Sequence, residues 1–265
     1  MMMNPIYERE RRASSRSVRF AAVMTVFNAV LAAAALSAMW YTLHRVVETG
    51  ELRYSVFLTM FRRLAWVEFA AVLVMMPALT AGSISGEREK KTLELILTTR
   101  MRPAEIVAGK LLSAISCAAV FLLTGAPVFA AVLLFGGVRL KDLCLLYFLV
   151  LLTACFSAGI GMFFSAVSRR TPFAAAASYA MLAAAAIVPA TVFSRALSAV
   201  TGQTGALENM LLGMGMPPRV VLSPALVPAG CLLLAGLTAL FLLASAFKIS
   251  PHLHKHRHLG SFSFF

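Results

Sequence analysis

Charged side chains are scarce in this sequence. They make up 13% of 265 residues, about half of what a soluble domain carries. Acids are scarcer than bases: 11 Asp and Glu stand against 24 Lys and Arg. Cysteine is also rare. Cys117, Cys144, Cys155 and Cys231 all fall in apolar runs without a CxxC pair, so neither a disulfide framework nor a zinc site is expected. A phosphate-binding loop is missing. Its nearest approach, around Lys91–Thr92, has Lys90 where the second glycine of the motif belongs, and no α/β domain surrounds it. The chain is therefore not expected to be an enzyme or to hold a cofactor of its own.

Other classes are weakened by further absences. No module of interleaved basic and aromatic residues is present, which argues against nucleic acid despite a net charge of +13. A membrane-embedded enzyme would need His, Asp or Glu clustered with catalytic spacing. The one cluster, His252, His254, His256 and His258, alternates with Lys255 and Arg257, whose charge opposes a metal, so a solvated tail is expected. A secondary transporter driven by an ion gradient would show internal repeats and ionisable groups at mid-membrane. No repeat is evident, and Glu68 is the only carboxylate inside an apolar run. These two classes, a gradient-driven transporter and a membrane-embedded enzyme, remain the alternatives.

What the chain has in abundance is apolar surface. Hydrophobic residues are 60% of it and its mean hydropathy is +0.84. Six runs are long enough to cross a hydrocarbon core of ~30 Å: about residues 20–43, 64–84, 106–135, 143–167, 173–193 and 225–247. The expected fold is thus an all-α integral membrane protein, one transmembrane domain over residues 1–265. The first run is too long for a signal-peptide core and is expected to stay as a span. Trp40 and Tyr41 end it as an aromatic belt would. A polar loop over residues 44–63 follows, and Gly125 and Pro127 predict a kink or break in the third span. Residues 194–224 form an external loop, partly apolar through Met210, Met214 and Met216. Gly159/Gly161 and Gly82/Gly86 permit close helix contact.

Six spans put both ends on one side of the membrane. That side carries sixteen Lys and Arg and the other eight, so both termini are expected in the cytoplasm. Residues 1–19 are basic, with Asn4 and Pro5 as a helix start, and predict an interfacial helix on the inner leaflet. Glu68 lies near the outer end of the second span as read here. It could reach the interface or pair with Arg62 or Arg63, or it could line a path or gate.

The most informative stretch lies between the second and third spans. From Glu87 to Lys110 there are ten charges in 24 residues, too many to stay in hydrocarbon. Ser85 is a candidate N-cap, and Glu87/Lys91 and Lys90/Glu94 are favourable pairs four apart. Leu93, Ile96 and Leu97 make an apolar stripe. The spacing predicts a short amphipathic helix over about residues 87–97. Alternating signs beside an apolar stripe suit a protein groove better than lipid, which favours Lys and Arg alone.

The run SGEREKKTLELILTTRMRPAEIVAGK resembles the cytoplasmic signature of permease subunits in the type 2 family of ATP-binding-cassette (ABC) transporters. Gly86, Glu87, Arg88, Glu89, Thr92, Leu93, Glu94, Leu97, Ile106, Val107, Gly109 and Lys110 carry the likeness. The segment NPIYERERR is similar to that family's elbow helix. Departures are the basic Arg100–Met101–Arg102 and a loop 194–224 without a recognisable motif. The resemblance implies that residues 87–97 are a coupling helix. It implies that Gly86, Glu87, Arg88, Glu89, Lys91, Thr92, Leu93, Glu94 and Leu97 engage a separate ATPase subunit, which would hold the ATP and Mg. A second permease, identical or paralogous, would complete the path in the cell membrane. Export is the implied direction. Spans rich in Ala, Leu and Phe suit an apolar or amphipathic cargo.

Overall fold

The computed structural model describes residues 18–49, 54–91, 103–134, 138–202, 210, 214 and 225–259. The interfacial helix expected within residues 1–17 lies outside them. All regular structure among the described residues is helical: α1 (Val18–Thr49), α2 (Tyr54–Thr80), α3 (Gly82–Glu89), α4 (Pro103–Leu134), α5 (Leu140–Val167), α6 (Thr171–Ala185), α7 (Ile187–Thr201) and α8 (Leu226–Leu259). Five stretches are long and apolar enough to cross a membrane, the second running Leu58–Glu89 through both α2 and α3. The α6–α7 pair, bent by 50°, makes a sixth if counted as one span.

Several boundaries differ from expectation. The polar loop over 44–63 is largely absorbed, because α1 runs on to Thr49 and α2 starts at Tyr54. Leaving the helix would expose backbone groups that the next turn satisfies internally. The fifth span continues through Ser194 to Thr201, so the first part of the expected external loop is helix. It is also broken at Ala186. Pro189 has no N–H to give the carbonyl four residues back, and the chain turns there. By contrast α4 runs unbroken through Gly125 and Pro127, without the expected break. Helix α8 runs on past the sixth expected span to Leu259, through the four histidines of the expected tail.

Helix α5 is the axis of the bundle. It packs against α2, α4, α6 and α8, and its buried positions run all round it. Lipid offers no hydrophobic drive for helices to associate, so close backbone approach must supply it. Small residues on α5 allow this. Gly159 meets the Thr238 carbonyl and Phe241 of α8, while Gly161 lies against Thr80 and Pro77 of α2. Toward one end of the bundle Phe69 stacks on Phe193 with centroids 4.3 Å apart, and Trp66 sits edge-on to both. Among its described side chains, helix α1 buries Met24, Phe27 and Leu31 against the bundle, with Ala34 and Ala35 beside them, and leaves Val26, Val30, Leu36 and Trp40 exposed.

Candidate functional site

The charged end of the second span is held by polar bonds that begin at a proline. Pro77 cannot donate to the carbonyl of Leu73. The hydroxyl of Ser157 on α5 donates to that carbonyl instead, at 3.1 Å. The helix then breaks at Ala81 and restarts as α3, which leaves its first N–H groups without helical partners. Ser165 Oγ on α5 accepts from two of them, Ile84 N and Ser85 N, each at 2.9 Å. A neighbouring helix thus provides the cap, and Ser85, read from sequence as the cap, is buried inside α3 with its hydroxyl donating to the Ala81 carbonyl. Ser157, Gly161 and Ser165 are spaced by four on one face of α5, and each meets one point of the α2–α3 break. Sequence reasoning saw Gly161 but missed this row. Its only signal was a repeat of small residues at helical spacing.

The motif residues follow. Gly86 and Gly82 both face Thr171 at the start of α6, Gly82 closely enough that a Cβ would lie 3.3 Å from the Thr171 methyl. Thr171 Oγ1 donates to Glu89 Oε2 at 2.6 Å. Arg88 reaches the other side of the same turn, donating from Nη1 to the Ser168 carbonyl at 3.2 Å and from Nη2 to the Ala166 carbonyl at 3.1 Å. These carbonyls end α5, where the helix leaves acceptors open. Lys110 of α4 donates from Nζ to the Ser83 carbonyl at 2.8 Å and to Glu87 Oε1 at 3.0 Å. The pair is mostly out of solvent, with 2% of the Lys110 side chain and 13% of the Glu87 side chain exposed. Ile84, Val107, Met162 and Ala166 form an apolar floor beside it. Three helices therefore grip one eight-residue segment, α3.

The first part of the expected helix, residues 87–91, is corrected here. Glu87 to Glu89 form the last turn of a helix that begins at Gly82. Lys90 closes it and Lys91 takes a φ of 55°, so no helix runs from 87 through 91. The Glu87/Lys91 pair is not formed either, since Glu87 turns to Lys110 and Lys91 leaves the helical path. Thr92, Leu93, Glu94 and Leu97 lie outside the described residues, as does the apolar stripe.

Glu68 is corrected too. It lies ten residues into the stretch Leu58–Glu89, about 15 Å along the helix and not one turn from its end. Arg63 points away, roughly 140° around the helix. Both carboxylate oxygens are buried without a hydrogen-bond partner, and so is the Tyr147 hydroxyl.

Arg88→Lys is expected to loosen the α5–α6 turn. A single ammonium cannot span two carbonyls as the guanidinium does. A loss of about 1–2 kcal/mol, discounted for partial exposure, is expected in thermal unfolding of the detergent-purified protein.

The family model described as an ABC-2 family transporter protein matches residues 4–212. Comparison with curated proteins gives no match.

Proposed function

Since the chain belongs to the ABC-2 family of transporter proteins, we propose that it is the membrane-spanning permease subunit of an ATP-driven exporter, worked by an ATPase on a separate polypeptide. Family membership makes it a membrane component of an ABC transporter. The coupling, the direction and the orientation are our reading. In it both termini face the cytoplasm, the protein sits in the cell membrane, and two permeases, identical or paralogous, enclose the path. ATP and Mg bind on the ATPase.

The observation that carries this reading is the grip on α3. Residues 92–97 follow directly on Lys91, at the end of a segment tied to α4 by Lys110, to α5 by Ser165 and Arg88, and to α6 by Thr171. A push on residues 92–97 by a partner would reach three helices at once. Coupling requires an element whose position two sites can bias together, and α3 has that connectivity. The proposed contacts to the ATPase are Thr92, Leu93, Glu94 and Leu97. Gly86, Glu87, Arg88 and Glu89 act as the mount, and Lys91 turns the chain between them.

The test is co-purification with an ABC ATPase from the host membrane. The native chain is expected to bring the ATPase with it. Leu97→Asp and Glu94→Lys are each expected to cut that yield roughly tenfold or more, with insertion and elution profile unchanged. Glu87 is left alone, because reversing it would break the pair with Lys110. Undiminished ATPase recovery in both variants, or transport by the purified chain alone in proteoliposomes, would overturn the proposal.

A further inference from the structure

The buried acid at Glu68 has an environment that no part of the coupling accounts for. On α2 it occupies a position in an otherwise apolar stripe, between Phe61, Leu64 and Ala65 on one side and Val72 on the other, all buried. Opposite it on α4 stands Gly125. A Cβ at Gly125 would lie 2.9 Å from Glu68 Oε1, so the carboxyl occupies the space a side chain would fill. One turn to either side of Gly125, on the same face of α4, are Phe121 and Phe129. Phe27 of α1 stacks on Phe121 with centroids 3.8 Å apart. Phe61 and Tyr147 both meet the Phe129 ring edge-on, at 5.7 and 5.8 Å. Tyr147 is within electrostatic reach of Glu68, and its hydroxyl also lacks a partner. Leu31 of α1 lies 3.5 Å from the same Cβ position on Gly125.

From this geometry we infer that Glu68 is the anchor of a membrane-buried binding site for a lipophilic organic cation. An ionised carboxylate is costly in hydrocarbon, so a buried acid without a partner stays neutral there until a cation meets it. The described residues supply no cation next to Glu68. They supply Phe121 and Phe129, one turn to either side of the Gly125 it lies against, as apolar rings that exclude water and offer an apolar body contact. An ammonium carried on an apolar body matches both features: its charge meets Glu68, its body meets the rings, and the Tyr147 hydroxyl accepts from an N–H. The site is closed in this conformation. Phe27 and Leu31 of α1 lie against α4 beside it, so entry is from the lipid between α1 and α4.

This inference deepens the transporter reading and rests on it for the cargo, but its test needs no ATPase. The full chain in phosphatidylcholine nanodiscs is titrated with rhodamine 6G, an aromatic cation, and with Nile red, a neutral dye, following fluorescence anisotropy. Rhodamine 6G is expected to bind the native chain, and Glu68→Gln to weaken it roughly tenfold or more while leaving Nile red unchanged. Gly125→Ala, which pushes a methyl against the carboxyl, is expected to weaken rhodamine 6G several-fold through the opposite helix, and it carries the test if Glu68→Gln does not fold. Equal rhodamine 6G affinity in the native chain and the variants, or no binding to the native chain, would overturn the cation site. Intact ATPase co-purification alongside either result would leave the permease reading standing.

Discussion

Gly161→Ala is expected to lower stability by about 3 kcal/mol, and Gly161→Val to prevent recovery of folded protein. A Cβ at this position would overlap Thr80 Oγ1, with Thr80 Cβ at 3.2 Å and the Pro77 Cα at 3.3 Å. The Thr80 hydroxyl cannot simply rotate away, because it donates to the Met76 carbonyl at 2.9 Å. Two of the three obstructing atoms are backbone or bonded to it, so α2 and α5 must move apart. That separation would also stretch the bonds from Ser157 and to Ser165 that hold the break in the second span. The added methyl therefore costs more than overpacking alone. Thermal unfolding in detergent, followed by fluorescence-detected size exclusion, measures the loss. Thr80→Ala in the Gly161→Ala background is expected to restore part of it, since the hydroxyl is removed while the Pro77 contact remains. Native stability in Gly161→Ala would show that the two helices do not touch at this point.

Lys110→Met is expected to cost about 3–5 kcal/mol and to abolish transport while ATPase association survives. Methionine keeps most of the volume and removes the charge. The Ser83 carbonyl and Glu87 Oε1 both lose the ammonium that serves them. Glu87 is mostly shielded from water, so the loss of the ammonium's bond to it is costly there. The residues proposed to meet the ATPase, 92–97, are untouched, which is why association and transport should separate. ATPase pull-down and transport in vesicles measure the two. Exchanging the pair, Glu87→Lys with Lys110→Glu, is expected not to rescue, because a carboxylate at 110 would face the Ser83 carbonyl. A rescue would mean that the charge pair alone matters and that the carbonyl contact is incidental.

Much of the architecture was legible along the chain. Apolar runs located the long apolar helices, and Pro103 with Glu105 opened α4 where a helix start was expected. Pro172 likewise stands in the first turn of α6. The charged stretch after the second span was visible as the site of interest. Its internal arrangement was misread for one reason. Pattern rules see neighbours three or four residues apart on one helix, and the bonds that matter here cross between helices. Glu87 found Lys110, 23 residues on, in place of Lys91. Arg88 found carbonyls 78 and 80 residues away.

The sequence by itself determined that this is a helical membrane protein, where most of its long apolar helices lie and which segment carries the family likeness. Those follow from composition and local spacing, because lipid demands long apolar helices and water demands that charge leave them. Only the tertiary structure decided that the second span breaks at Ala81, that a serine of α5 caps the restart, and that Glu68 lies buried against a glycine among aromatic rings. A broken helix is stable only when another element supplies the partners its backbone has lost. Which element does so is set by packing in space and leaves no trace in spacing along the chain.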